Sequence, residues 1–317
     1  MRLRPLGKTS LPVPVMMLGG NVFGWTVNEA DSFRLLDRAF DLGLTFIDTA
    51  DVYSRWVPGH TGGESETIIG RWFRQTGRRN QVIIATKVGI DMGDGKAGLS
   101  AKRIREAVEE SLTRLQTDRI DLYQSHRDDE NTPLEETLEA YSALISQGKV
   151  RFIGASNYTG ARLRAAIETS RRLGIPAYQT LQPHYNLVER KNYETDLAPV
   201  VDEFGIGVIP YYSLASGFLS GKYRKPADLE GKARGRGAGK YLTDAGLRVL
   251  AELDGAAADY NSTPAAVALA WLAAQPHITA PIVSATTIEQ IDTIAAAAEL
   301  QLREDTIADL TSASAGL

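Results

Sequence analysis

The stretch VIIATKVGIDMGDGKAGLSAKRIREAVEESLTRLQTDRIDLYQSH (82–126) contains a strand pattern, a helix pattern and a second strand pattern in succession. Its first and last runs, 82–88 and 120–126, are short and mainly apolar, as in strands of a buried parallel sheet. Residues 100–116 carry apolar side chains at intervals of four, four and three residues, which places them on one helix face. The stretch therefore predicts a strand–helix–strand unit.

The same alternation runs along the whole chain of 317 residues. Most strand patterns begin about 30 to 40 residues after the previous one, as the units of an α/β barrel do. Eight units predict an α/β fold of one domain, a (β/α)8 TIM barrel over residues 1–317. An open doubly wound sheet is the alternative, but its glycine-rich fingerprint is absent after the first strand. The predicted strands are 13–18, 44–49, 82–88, 120–126, 150–156, 177–182, 207–212 and 278–284.

The connection between the seventh and eighth strands is about twice as long as the others. It contains a long loop rich in Gly, Lys and Arg, residues 215–241, and an extra helix near 243–259. We expect the loop to be mobile, because Gly and charged residues dominate its composition. No linker divides the chain into two domains.

The composition excludes several classes of protein. There is no cysteine, so disulfides, thiolate metal sites and a cysteine nucleophile are excluded. Lys and Arg number 35 and Asp and Glu 39, and the resulting charge of -4 argues against a nucleic-acid-binding surface. With only four histidines, a His-rich metal centre is not expected. No apolar run is long enough to span a membrane or form a signal peptide, so we expect a cytoplasmic location.

Polar side chains end three neighbouring predicted strands, on the side where barrel enzymes have their active sites. Asp48 ends the second strand, Lys87 the third and His126 the fourth, while Tyr53 follows Asp48 in the adjoining loop. If the Lys87 ammonium pairs with Asp48 beside Tyr53, we expect it to lower the pKa of Tyr53 toward neutrality. Tyr53 could then protonate a carbonyl oxygen held by His126. Such a site needs a hydride donor, of which a nicotinamide is the obvious one.

Each of these residues also has a structural interpretation. A Lys–Asp pair in a barrel is often purely structural, and Tyr53 could be an aromatic residue of a capped loop. His126 could be a strand-end histidine satisfied by its neighbours. The joint placement of the four side chains is what favours the chemical interpretation.

Several segments, in order along nearly the whole chain, resemble the aldo-keto reductase family. The resemblance implies a (β/α)8 barrel that binds extended NADP(H), with a catalytic tetrad of Asp48, Tyr53, Lys87 and His126. The segments that resemble the catalytic regions are FIDTADVY (46–53), GGESETIIG (62–70), ATKVG (85–89) and IDLYQSHRDD (120–129). Those that resemble cofactor-binding regions are GKVRFIGASN (148–157), LQPHYNLVER (181–190) and PYYSLASGFLSGKY (210–223).

The resemblance also implies a set of cofactor-binding residues. The nicotinamide carboxamide would be bound by Ser156, Asn157 and Gln182, and Tyr211 would stack on the nicotinamide ring. The pyrophosphate path would be lined by Ser213, Leu214, Gly217 and Leu219, with Lys222 adding positive charge. Ser284, Thr286 and Gln290 would lie at the adenosine end. Without the resemblance, Ser156 and Asn157 could be helix caps, Tyr211 a barrel-mouth aromatic and Gly217 a turn residue.

The adenosine end departs from the family pattern. Thr286 and Thr287 stand where family members commonly have a Lys or Arg that binds the 2′-phosphate. Hydroxyls and a helix N-terminus can still bind a phosphate, more weakly than a guanidinium does. NADP(H) is therefore favoured, and NAD(H) is possible. Basic residues of the long loop could compensate: Arg224, Lys225, Arg234 and Arg236.

The sequence says less about the substrate. Trp25, Trp56 and Arg127 are placed to wall the pocket for a small-molecule carbonyl, although Arg127 could equally form a surface salt bridge. The predicted function is an NAD(P)H-dependent reduction of aldehydes or ketones to alcohols. The alternative is a nucleotide-binding regulatory subunit resembling potassium-channel β subunits, and a metal-dependent barrel hydrolase is a third interpretation. The oligomeric state is not indicated.

Overall fold

The computed structural model describes residues 1–317 and confirms the (β/α)8 fold. Eight parallel strands pair in chain order, and the last of them pairs with the first. On its other side, the segment leading into the last strand bonds to the seventh strand through Thr279 N and Val208 O, at 2.8 Å. The barrel strands are β3 (Met17–Gly19), β4 (Phe46–Asp48), β5 (Ile83–Val88), β6 (Ile120–Ser125), β7 (Val150–Ser156), β8 (Thr180–Gln182), β9 (Gly207–Val208) and β10 (Ile282–Val283), after the short strands β1 (Leu3–Pro5) and β2 (Pro12–Pro14).

The first predicted strand, 13–18, was too long at its beginning. Residues Pro12–Pro14 instead pair antiparallel with Leu3–Pro5 in a hairpin. The hairpin packs Leu6, Leu11 and Val13 against the side chains that fill the barrel interior. The hairpin thereby closes one end of the barrel, and the candidate active site lies at the other end.

The helices form the outer layer, and six of the eleven begin at a residue whose side chain caps the helix. The predicted cap Ser100 accepts a hydrogen bond from Arg103 N at 3.2 Å. The last helix of the chain was not predicted. The helices are α1 (Glu29–Asp41), α2 (Glu64–Thr76), α3 (Ala101–Leu115), α4 (Leu134–Ser146), α5 (Gly160–Leu173), α6 (Ala198–Phe204), α7 (Gly235–Gly239), α8 (Asp244–Asp259), α9 (Pro264–Ala274), α10 (Ile288–Glu299) and α11 (Glu304–Ala313). None combines the length and apolar character needed to cross a bilayer.

The long loop 215–241 has more regular structure than its composition indicated. It contains short 3₁₀ segments at Ala215–Ser220 and Pro226–Leu229, followed by α7. Phe218 and Leu219 are fully buried and anchor the beginning of the loop in the core. Further along the loop, Arg234 lies over the Trp25 ring and beside Asn21, which follows β3.

Candidate active site

Three adjacent strands bring Asp48, Lys87 and His126 together at the open end of the barrel. In the sheet register Asp48 lies opposite Ala85, and Lys87 lies opposite Gln124, two residues before His126. The main-chain N of His126 donates to the carbonyl of Val88, so the strand pairing extends to the histidine. The carboxyl ends of neighbouring parallel strands therefore fix the relative positions of these three side chains.

The Lys87 ammonium is the centre of the site. Its Nζ lies 2.6 Å from Asp48 Oδ2, 2.8 Å from the Thr49 carbonyl and 3.1 Å from Tyr53 Oη. These three partners match the three N–H donors of a lysine, which explains how Lys87 can be fully buried. Burial lowers the pKa of Lys87, and the Asp48 carboxylate opposes that shift. The arrangement holds a cation against the oxygen of the phenol.

The predicted direction of the Tyr53 pKa was wrong. Burial, followed by the Asp48 carboxylate and Tyr212, raises the pKa of Tyr53 well above its ordinary value. The prediction considered the ammonium alone and left out burial and the Asp48 carboxylate, both of which penalise the phenolate. Tyr53 is therefore protonated at neutral pH, which is the state that a proton donor requires.

His126 packs against Tyr53, and one of its ring nitrogens has no hydrogen-bond partner. The two rings lie edge to face with their centroids 5.9 Å apart. Nδ1 of His126 is buried without a hydrogen-bond partner, so the histidine is not satisfied by its neighbours as the structural interpretation required. Burial, Lys87 and Arg127 lower the pKa of His126 well below its ordinary value. A neutral imidazole can hold a polar ligand atom beside Tyr53 Oη.

Two glutamines support Asp48 from the side opposite Lys87. Gln182 Nε2 donates to Asp48 Oδ1 at 3.0 Å, and Gln124 Nε2 lies 3.4 Å from the same oxygen. Both side chains are buried. Gln182 was predicted to bind a carboxamide, whereas here its amide is bonded to the tetrad. Gln124 was not predicted to be a site residue. Its position as a polar residue within the apolar run before His126 could have indicated it.

The predicted carboxamide-binding residues form one connected group beside the tetrad. Asn157 Nδ2 donates to the His126 carbonyl, and Tyr211 Oη donates to Asn157 Oδ1, each at 2.8 Å. The Ser156 hydroxyl donates to the Gln182 carbonyl at 2.9 Å. The helix-cap alternative is wrong, because Thr159 caps α5. The Tyr211 ring stacks on His184, with the ring centroids 5.2 Å apart.

The predicted pyrophosphate-binding residues lie in the loop after β9, and they differ in whether they could contact a ligand. Gly217 has φ +90, a backbone conformation that suits glycine. A Cβ there would press against Lys222, which lies directly over it. The Ser213 hydroxyl donates to the Ile282 carbonyl at 2.8 Å and so ties Leu214 and the rest of the loop to β10. The Leu219 side chain is buried in the core and does not line an open path.

Lys222 and Arg234 are cations without a carboxylate partner at the rim of the site. Neither takes part in an ion pair, whereas Arg224 pairs with Asp254 at 2.7 Å. Arg234 lies over the Trp25 ring, and its Nη2 is 3.4 Å from Asn21 Oδ1. Of the four loop cations considered from sequence, Arg234 is thus the one that reaches the active site. Asn21, which was not predicted, also accepts from Ser284 Oγ.

The adenosine-end residues lie exposed at the beginning of α10. Thr287 caps this helix, and Gln290 Oε1 accepts from Thr286 N at 2.8 Å. Glu289 lies in the same first turn, so the segment adds a negative charge and no positive one. The adenosine end therefore lacks the positive charge that Lys222 and Arg234 supply at the rim of the site.

Aromatic rings form the mouth of the site. Trp56 packs edge-on against both Trp25 and Tyr53, with centroid separations of 5.6 and 5.8 Å. Trp56 and Tyr212 are each about half exposed. Arg127 is exposed and forms no ion pair, so the surface salt bridge considered from the sequence is wrong. The structure groups no three His, Asp or Glu side chains as metal ligands.

Comparison with known proteins agrees with this architecture. A sequence profile of the Aldo/keto reductase family matches residues 15–315. The chain is 38% identical to the uncharacterized oxidoreductase YrpG of Bacillus subtilis (strain 168), over 95% of this chain and 92% of YrpG. It is 36% identical to the L-glyceraldehyde 3-phosphate reductase of Escherichia coli (strain K12), covering 92% and 86% of the two chains. It is 33% identical to a probable voltage-gated potassium channel subunit beta of Arabidopsis thaliana, covering 92% and 89%. On this evidence the chain belongs to the aldo/keto reductase family of oxidoreductases.

Proposed function

We propose that the protein reduces aldehyde or ketone carbonyls reversibly to alcohols, with NADP(H) as the favoured hydride donor. The observation that carries the proposal is the Lys87 ammonium bonded at once to Asp48 and to Tyr53 Oη. A protonated phenol, a neutral His126 and a buried cation are the groups that a developing alkoxide needs. The family generally uses nicotinamide cofactors, which fits the missing hydride donor.

The side chains have separate roles in this reaction. When bound, a dihydronicotinamide would supply the hydride that the site lacks. Tyr53 Oη and His126 hold the carbonyl oxygen by hydrogen bonds, and the Tyr53 proton moves to that oxygen as negative charge develops on it. Lys87, 3.1 Å away, stabilises the phenolate that remains. Asp48 keeps Lys87 in place and protonated.

The residues at the rim fit a dinucleotide with its phosphates. Lys222 lies close enough to Arg234 for the guanidinium to lower the pKa of Lys222, after the larger effect of burial. Two cations held together without a carboxylate are best explained by an anionic ligand. The Tyr211 ring, held by its hydroxyl on Asn157 Oδ1, offers a flat surface beside the tetrad on which a nicotinamide could stack.

Arg234 is expected to account for much of the cofactor affinity. The change Arg234→Met should weaken NADPH binding by about tenfold to a hundredfold, the value of a charge-assisted hydrogen bond. Fluorescence titration measures the Kd, and Arg236→Met on the same loop is the matched control, expected to bind normally. Equal affinity in Arg234→Met and wild-type protein would contradict the assignment. NADH titrated in parallel tests the preference, because equal binding of NADH and NADPH would reject the choice of NADP(H).

Arg127 is proposed to bind an anionic group of the substrate. It is exposed, lies next to His126 and has no carboxylate partner, and one relative is named for a phosphorylated aldehyde. The change Arg127→Leu should lower kcat/KM for glyceraldehyde 3-phosphate by about tenfold and leave unphosphorylated glyceraldehyde nearly unaffected. Steady-state kinetics with the two aldehydes measure this difference. The same loss with both aldehydes would show that Arg127 shapes the site rather than binding phosphate.

A nucleotide-binding regulatory subunit is the second candidate, because potassium channel β subunits are among the relatives. The two candidates differ in turnover. An enzyme consumes many equivalents of NADPH with a panel of carbonyls, whereas a sensor stops after about one slow turnover. The complete Asp48, Tyr53, Lys87 and His126 set favours the enzyme, and steady-state assays with this panel decide between them.

A further inference from the structure

Asp51 is a buried carboxylate directly behind the active site that the reaction above does not use. It is fully buried, and its Oδ2 accepts from Arg103 Nη2 at 3.2 Å. Arg103 is itself buried on α3 and pairs also with Glu110 at 3.3 Å. Asp51 Oδ1 and Arg103 Nε have no hydrogen-bond partner. An incompletely satisfied buried ion pair is a costly feature that stability alone does not explain.

The main chain connects this pair to the tetrad. Asp51 N donates to the Lys87 carbonyl at 3.2 Å, and Tyr53 N donates to the Ala50 carbonyl at 3.3 Å. Asp51 therefore lies inside the turn that ends at Tyr53, and its backbone is fixed to the strand that carries Lys87. Its side chain fixes the same turn to α3 through Arg103. Movement of Asp51 would change the separation of Tyr53 Oη and Lys87 Nζ.

We propose that the Asp51–Arg103 pair positions Tyr53 against Lys87 and so controls kcat without contacting substrate or cofactor. The inference rests on the proposed reductase function. A positioning role differs from a merely structural one because it affects the chemical step more than folding or cofactor binding.

The charge state of Asp51 adds a pH dependence to this role. Burial and then the Glu66 carboxylate raise the pKa of Asp51, to about 7 once the opposing effects of Arg103 and Arg114 are included. Below about pH 7 the carboxylate becomes neutral, its pairing with Arg103 weakens and kcat should fall. Because the folded-state pKa is raised, stability from this group is lost as the pH rises through about 7. The groups that face Asp51 are Glu66 on α2, Lys87 on β5, Arg103 and Arg114 on α3, Tyr123 on β6 and Tyr141 on α4.

The test compares Asp51→Asn with a matched control, using 4-nitrobenzaldehyde and NADPH. Asp121 is an equally buried carboxylate, paired with Arg79 at 2.9 Å near the other end of β6. At about pH 8, Asp51→Asn should lower kcat about tenfold and change KM and NADPH affinity less than about twofold. The change Arg103→Gln should give the same loss. Asp121→Asn should lower the Tm and leave kcat as in wild-type protein.

The pH profile separates positioning from structure. Wild-type kcat should fall between about pH 8 and pH 6, whereas Asp51→Asn should show no such change. A wild-type rate or an unchanged acid limb in Asp51→Asn overturns the inference, as does an equal loss of kcat in Asp121→Asn. Any of these outcomes overturns only the positioning role of Asp51. The reductase assignment stands as long as wild-type protein turns over the aldehyde. A wild-type protein that reduces no carbonyl overturns the proposed function and this inference together.

Discussion

Replacing Tyr53 with Phe is expected to lower kcat for carbonyl reduction by about a thousandfold or more, while NADPH still binds with wild-type affinity. The substitution removes the only phenol that is bonded to Lys87 and faces His126, and it leaves the ring in place. General acid catalysis typically contributes about a hundredfold to ten-thousandfold, so losing the proton donor should nearly abolish turnover. Steady-state kinetics and fluorescence titration with NADPH measure the two quantities separately.

A matched control for this change is Tyr193→Phe. Tyr193 is a buried tyrosine that packs on Tyr185, away from the tetrad, and its hydroxyl forms no hydrogen bond within the chain. The control should keep its wild-type rate. Substantial turnover by Tyr53→Phe would mean that another group, or water, protonates the alkoxide.

Replacing Lys87 with Met should lower both activity and stability. The change leaves Asp48 buried without its ammonium partner, and breaking a buried ion pair in this way costs about 3 to 5 kcal/mol. The chemical step should slow by about a hundredfold or more, because no cation remains to stabilise the phenolate of Tyr53. Denaturant unfolding measures the first effect and kcat measures the second.

The double variant Asp48→Asn with Lys87→Met separates the two effects. Without the unpaired carboxylate, much of the lost stability should return, helped by the amides of Gln124 and Gln182 that already surround residue 48. The activity should not return, since the cation is still missing. Recovery of both would show that Lys87 acts only by preserving the fold.

The sequence predicted the barrel correctly because strand and helix periodicities are local. Its errors lie where structure depends on distant contacts. The run 13–18 continues smoothly in sequence, and only the pairing of Pro12–Pro14 with Leu3–Pro5 divides it. The loop 215–241 was expected to be mobile, since its composition does not reveal that Phe218 and Leu219 are buried.

The sequence predicted which strand ends bring the candidate residues together, but it did not predict the pKa of Tyr53. Strand-end placement brought Asp48, Lys87 and His126 together, as the register requires. The pKa of Tyr53 could not be predicted, because its main cause is burial, which a sequence does not show. Arg103 was also missed, since a charged residue on the buried face of an amphipathic helix is recognised only when its partner, Asp51, is located.

The transfer of deuterium tests the central claim most directly. NADPH deuterated at the reactive C4 position is incubated with 4-nitrobenzaldehyde, and the alcohol is analysed by mass spectrometry. Wild-type protein should place one deuterium on the former carbonyl carbon over many turnovers, and Tyr53→Phe should yield almost none. An alcohol without deuterium, or equal labelling rates in the two proteins, would contradict a reduction in which Tyr53 protonates the oxygen beside Lys87.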